Sequence, residues 1–383
     1  MLPALAVSPG CAFGIYVHVP FCATRCGYCD FNTYTAAELG GTSPDGWLAA
    51  LRVELELAAA TVGPVPVDTV FVGGGTPSML GAGRLADVLG AIRGNFPLAR
   101  DAEVTTEANP ESTSPDFFAA IRAAGYTRVS LGMQSASPRV LTVLDRTHSP
   151  GRATAAAREA LAAGFDHVNL DLIYGTPGES DADLLDSVHD AVDAGVDHVS
   201  AYALVVEDGT ALARRVRRGE VAAPDDDVLA ARYQLIDEHL TAAGMGWYEV
   251  SNWSRPGGQC RHNEGYWSGG NWWGTGPGAH GFVGDVRWWN VKHPKAYAEL
   301  LGRGESAAAD FERIGDRERH LETVLLGIRL RRGLPLTALT ETERERGRQA
   351  VVDGMLHEAG DRLVLTDSGR LLADAVVRNL LDD

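Results

Sequence analysis

Three thiols within eight residues, Cys22, Cys26 and Cys29, are the part of this 383-residue chain best equipped for chemistry. A C-x3-C-x2-C spacing is too cramped for a disulfide framework, and Cys11 and Cys260 make the set of five odd. In a reducing compartment such clustered thiols usually hold a metal. Three donors are one short of a structural zinc site, whereas a [4Fe–4S] cluster on three thiolates keeps one iron open to an exchangeable ligand. The plainer alternative is a zinc site completed by His18 or by the distant Cys260. Cys11 has no thiol nearby and reads as incidental.

Other candidates share one placement. Short apolar, β-branched runs fall at 15–19, 69–72, 104–106, 128–131, 167–172 and 198–203, and helical stretches rich in Ala and Leu fit between them at 44–60, 85–95, 115–124, 154–163 and 182–194. Several of these stretches stop at a glycine (Gly125, Gly164, Gly195), as a left-handed C-cap requires. Six βα units predict a parallel sheet curled into an open barrel, with ligand groups on the loops after the strands. The cysteines follow the first run and Gly73–Pro77 the second. Glu107 and Asn109 follow the third, Gln134 follows the fourth, and Asp171 stands near the end of the fifth.

A formal net charge of −17 opposes a phosphate backbone, and the arginine-rich stretches 214–218 and 344–348 have Glu within or beside them, so nucleic acid is not an expected partner. No apolar run reaches the roughly 20 residues needed to cross a bilayer. The first 14 residues lack a basic cluster and are interrupted by Pro3 and Gly10, unlike a signal peptide, so a cytoplasmic location is expected.

C-x3-C-x2-C after a first strand, with the aromatic Tyr28 before the third cysteine, resembles the radical S-adenosylmethionine (SAM) signature. Gly73-Gly74-Gly75-Thr76 resembles that superfamily's glycine motif, where the missing side chains let the SAM amino group approach backbone. Tyr16–Cys22, Glu107-Ala108-Asn109-Pro110, Leu131–Ser135 and Asn169–Pro177 extend the resemblance to the oxygen-independent coproporphyrinogen oxidase group over nearly the whole chain. The fold implied is α/β, a radical SAM partial (βα)6 barrel followed by an accessory region. The resemblance implies that Glu107, Gln134, Arg146 and Asp171 contact SAM, with Arg146 on its carboxylate and Asp171 on a ribose hydroxyl. It also places Tyr28 beside the adenine, Tyr16 behind the bound SAM and the Ala203 backbone at the adenine. Taken singly, Arg146 also reads as a helix-end charge, and Tyr16 and Tyr28 as core aromatics.

Two branches of that group differ here. The decarboxylases carry a fourth cysteine two residues after the third, where this chain has Phe31. Cys29-Asp30-Phe31-Asn32, the H-N-x-x-Y-W motif in Cys260–Trp267 and Gly276-Pro277-Gly278-Ala279-His280-Gly281 are similar to the HemW-type haem chaperones. That branch implies haem as ligand and cargo, respiratory haem-acceptor proteins at a membrane as partners, and a homodimer as one assembly; the oxidative decarboxylase of porphyrin biosynthesis is the alternative. His262, Asn263, Tyr266 and Trp267 are then the haem-binding set: an imidazole for iron and flat rings, with Trp272 and Trp273, for the porphyrin. The plainer reading is an aromatic core patch around a hydrogen-bonded histidine. His280 and Cys260 are secondary ligand candidates. The organisation expected is an extension at 1–13, the barrel at 14–224, an accessory region at 225–310 with a helix to about Ala243 and an aromatic, Gly-rich stretch at 247–289 forming a separate irregular layer, and a winged-helix-like module at 311–383.

Overall fold

In the computed structural model, which describes residues 2–7, 10–146 and 149–381, the first half alternates strand and helix as expected. Met1 and the last two residues of the expected end segments lie outside the described residues. Strands β1 (Phe13–Val19), β2 (Val67–Gly74), β3 (Leu98–Ala108), β4 (Arg128–Gln134), β5 (His167–Tyr174) and β6 (His198–Ala203) pair in sequence order, all parallel. Each contains the run read from the sequence. Gly125, Gly164 and Gly195 all take positive φ at helix ends.

Period-two alternation separates the two faces of the sheet. In β1, Ile15, Val17 and Val19 are fully buried in the core beneath the helices, while Tyr16 and His18 turn to the inner face. The helix Pro44–Val62 shows how that core is built. Ser43 caps it by accepting from the Gly46 N–H, Pro44 opens it, and Trp47, Leu48, Leu51, Leu55 and Ala58 form one buried stripe. Each leucine so buried contributes roughly 1.5–3 kcal/mol.

The 247–289 stretch corrects the expectation of a separate irregular layer. Strands β7 (Gly246–Glu249), β8 (Asn252–Ser254), β9 (Asn271–Thr275), β10 (His280–Val283), β11 (Val286–Asn290) and β12 (Ala308–Arg313) join the same 12-stranded sheet, in the order β12-β11-β10-β9-β1-β2-β3-β4-β5-β6-β8-β7. β9 runs parallel to β1, and β8 runs antiparallel to β6, so the accessory segments extend both edges of a sheet that does not close. Glu54, inside the buried stripe, pins the β9–β11 extension. Its carboxylate accepts from the Thr275 hydroxyl (2.5 Å), Gly276 N–H (2.8 Å), Asn290 amide (2.6 Å) and Tyr297 hydroxyl (2.6 Å).

The C-terminal segment has its own core, including Val324, Ile328, Leu356, Leu363, Val377 and Leu380. Helices Asp316–Gly327, Glu341–Val352 and Ala373–Leu381 pack with a three-stranded sheet whose hairpin is Leu356–Ala359 and Arg362–Leu365, a winged-helix arrangement. It is tied to the barrel side by Arg370, which pairs with Asp237 and stacks on Trp247.

Candidate functional site

The loop after β1 carries the three cysteines, and backbone bonds fix it at several points. Cys22 N–H donates to Tyr34 O (3.0 Å), Cys29 N–H to Cys26 O (3.2 Å), Gly27 N–H to Leu144 O (3.3 Å), and Leu212 N–H to Gly27 O (2.8 Å). Gly27 lets the Asp145 carboxylate pack against the loop, since a Cβ there would lie 2.2 Å from it and displace that side chain. The glycines after β2 abut the same loop. Gly75 N–H donates to Val19 O (2.7 Å) and Thr76 N–H to Phe21 O (2.8 Å), and a Cβ on Gly75 would sit 2.6 Å from Phe21 O. Gly74, at φ +109°, leaves no room beside the His18 ring.

Cys22, Cys26, Cys29, Tyr28, Gly74, Gly75, Thr76, Glu107, Gln134, Arg146, Asp171 and Ala203 line one cavity of about 580 Å³ at the C-terminal ends of the strands. Gly73 sits just behind that wall, against Phe71 and Glu107. Tyr16 does not reach this cavity; it lines a smaller adjoining chamber of about 140 Å³, its hydroxyl 3.0 Å from His18 Nδ1.

Charges around the main cavity are placed against their own solvation. Glu107 accepts from the Gly74 N–H (3.0 Å), yet burial, and then the nearby Asp171 carboxylate, push its carboxyl up to about 8. Asp171 is raised by burial too, although it accepts from Ser130 Oγ (3.0 Å) and Asn169 Nδ2 (2.7 Å). Arg146 donates to Cys26 Sγ (3.3 Å) and Gly132 O (3.2 Å), while its buried Nε has no partner. Two raised carboxyls, a guanidinium with a free donor and a glycine edge complement an amino-acid zwitterion joined to hydroxyls and a cationic centre. Burial also pushes the Cys29 thiol up to about 11, so thiolates here need a positive partner.

Among the described residues, only Gln134 (φ +67°) and Asp145 (φ +53°) are non-glycines at positive φ, and both line this cavity. Backbone strain of this kind concentrates where surroundings over-determine a site. The sequence reading missed Ser130, Asn169, Asp145 and Tyr202. Ser130 and Asn169 were findable: Asn169 and Asp171 alternate on one face of an otherwise apolar run, as do Ser130, Gly132 and Gln134.

The zinc alternative is corrected. His18 has both nitrogens engaged, with the Tyr16 hydroxyl and with Asn32 O (2.9 Å), and Cys260 is buried against Glu103 (3.5 Å), lining the other chamber. Three thiols lining a roomy cavity fit a multi-iron cluster better than one ion.

The expected haem set is divided. His262 is buried, its Nδ1 2.7 Å from Thr69 Oγ1 and its Nε2 2.8 Å from Tyr266 Oη, with the ring stacked on Phe71. Burial pushes the imidazole down to about 4, so it is neutral. Binding iron would require it to give up one of these bonds and leave the core, so the plainer reading of the motif describes this geometry. Asn263 donates to Glu249 (3.1 Å), and Trp267 is half-buried at the end of the helix Arg261–Trp267.

An open parallel barrel with three cysteines after its first strand and a glycine edge after its second is the architecture of the radical SAM superfamily, whose family profile matches residues 16–191. The chain is 70% identical to the "Heme chaperone HemW" of Mycobacterium tuberculosis over 380 residues, 99% of this chain and 97% of that protein. It is 34% identical to the Escherichia coli K12 protein of the same name, over 96% and 97% of the two chains. Coproporphyrinogen III oxidase (HemN) from Escherichia coli shares the fold with a TM-score of 0.83 at 21% identity, over 97% of this chain and 90% of that one. This chain belongs to the HemW family of radical SAM proteins.

Proposed function

We propose that this chain is a haem-binding chaperone that holds a [4Fe–4S] cluster on Cys22, Cys26 and Cys29 and SAM in the adjoining cavity, and that passes haem to respiratory acceptor proteins. The observation that carries the cofactor reading is the single cavity in which the three thiols meet Gly74–Thr76, Glu107, Arg146 and Asp171. The haem reading rests on the name of relatives matched along their whole length. When bound, a cluster and SAM supply one-electron chemistry. The protein's part is orientation. The free Arg146 Nε meets a carboxylate, Asp171 accepts from ribose hydroxyls, Glu107 takes an ammonium, and Gln134, Tyr28 and Ala203 close the remaining wall. Phe31, 62% exposed at the cavity mouth, offers no thiol where the decarboxylases have one. Chaperoning within the cytoplasm is part of this reading, as is a dimer; no helix among the described residues is long and apolar enough to cross a membrane.

Anaerobic reconstitution followed by counting of iron, sulfide, SAM and haem tests it. About four irons and four sulfides, one SAM and one haem per chain are expected. A chain that takes up none of the iron and sulfide, or no haem, overturns the corresponding half. Multiple-turnover formation of protoporphyrinogen from coproporphyrinogen, with SAM and reductant, restores the decarboxylase in its place.

A further inference from the structure

If this chain binds haem, some side chain must reach the iron, and the family motif's histidine is spent inside the barrel. The other described histidines narrow the choice. His18 and His198 have both nitrogens engaged. His167 and His320 bond carboxylates, His189 and His239 bond each other, and His293 caps a helix. His357 is exposed but has no aromatic ring against it. His280 alone among the described residues combines an exposed ring, no hydrogen-bond partner on that ring and an aromatic neighbour. Trp289 lies directly opposite it across the β10–β11 pair, ring centroids 5.9 Å apart and planes 31° from parallel.

The surroundings suit a porphyrin. Cross-strand register puts His280, Phe282, Trp289 and Arg287 on one side of the sheet, and Trp272, paired with Phe282, on the same side. Trp272 holds the start of β10 by donating from its indole to His280 O (2.9 Å). Trp272 and Trp289 are half-buried, so each offers part of a flat ring. Lys292, exposed and without an ion pair among the described residues, and Arg287 lie close enough to lower the His280 pKa, after burial. They favour the neutral imidazole that ligates metal; Arg287 is already paired with Glu312 and Glu322, which leaves Lys292 as the cation for a propionate.

We infer that haem is seated on the face of β9–β11, with His280 as its axial ligand, Trp289 and Trp272 against the macrocycle and Lys292 at a propionate. The inference rests on the haem-chaperone reading and changes where the cargo sits: on the edge extension of the sheet, outside the cluster cavity.

Hemin titration of the full chain, read by Soret and visible absorbance, tests it with wild type, His280→Ala, His280→Gly and His262→Gln. Thermal melts confirm folding; His280 is exposed, so its variants should melt as wild type does. His280→Ala should lose the imidazole-ligated spectrum and bind at least tenfold more weakly. Free imidazole should restore that spectrum in His280→Gly, and His262→Gln should keep it. Unchanged spectrum and affinity in His280→Ala overturn the inference and leave the chaperone reading standing. No hemin uptake by wild type overturns both.

Discussion

Glu107 should make SAM binding depend on pH in a particular direction. Its carboxyl is held at about 8, against an ordinary 4.5, by burial and by Asp171; Tyr16, Tyr202 and Tyr266 also face it, and Arg146 faces Asp171. An ammonium binds the ionised form, so at neutral pH most of the free protein must first release a proton. Allowing for the ligand's own amine, apparent affinity should therefore rise about eightfold from pH 6 to pH 7, and about fifteenfold by pH 7.5. By roughly pH 7.7 half of the ligand's own amine has lost its proton, which sets the upper limit of the useful window. Linkage gives a second signature. A carboxyl raised in the fold is neutral where its unfolded counterpart is charged, so its contribution is intact below 4.5 and lost as pH rises through about 8. Glu107→Gln should then stabilise the ligand-free chain at pH 8, by at most about 5 kcal/mol, and leave it unchanged near pH 4. Calorimetry of the cluster-loaded protein in buffers of different ionisation heat should count nearly one proton released per SAM at pH 6.5. Flat affinity across pH 6 to 7.5 with no proton release, or a glutamine variant that keeps the wild-type dependence, would refute the assignment of Glu107 to the amino group.

Replacing Cys22, Cys26 and Cys29 together by Ala should drop reconstituted iron and sulfide from about four each to background while leaving hemin uptake largely intact, because haem is assigned to a different face. Gly75→Ala brings a methyl to 2.6 Å from Phe21 O and 2.9 Å from Val19 O, both backbone, so a loss of about 1–3 kcal/mol and weaker cluster retention are expected in melts and iron assays. Gly83→Ala, in the helix Gly81–Asn95 with nothing near its Cβ, should instead stabilise by roughly 0.5–1 kcal/mol. Glu54→Ala strands the donors of Thr275, Gly276, Asn290 and Tyr297 in the core, and should cost about 3–5 kcal/mol in urea unfolding.

Where sequence reading succeeded, the signal was local. Each of the six barrel strands shows itself as a short apolar run followed by a loop, the last three directly after a glycine-terminated helix, and a cysteine triplet is visible whatever its surroundings. The edge strands hide for a physical reason. Trp272-Trp273 and Trp288-Trp289 place a large ring on both faces, so alternation disappears, and glycines at 274, 276, 278 and 281 mimic a loop. Their pairing is also non-local, since Trp273 lies beside Ile15. The haem motif shows the same limit. A helical i, i+4 spacing explains why Tyr266 meets His262, but Thr69 and Phe71, which fill out the histidine's surroundings, come from β2. Residue types therefore suggest a ligand where the assembled core supplies partners for both nitrogens.

Asn32, one residue beyond Phe31, gives the cluster loop and the proposed haem face a common anchor. Its side-chain amide donates to Pro277 O (3.0 Å) and Lys292 O (2.8 Å), its amide oxygen accepts from the Tyr34 hydroxyl (3.0 Å), and its carbonyl lies 2.9 Å from His18 Nε2. The glycines opposite are spaced for this contact: a Cβ on Gly278 would lie 2.5 Å from the Asn32 amide, and one on Gly276 would lie 2.4 Å from His18 O. The cysteine loop thus rests on the two turns that bracket β10 and β11, one leading into His280 and the other carrying Lys292. A shift of the loop by even one ångström would break bonds on both turns at once.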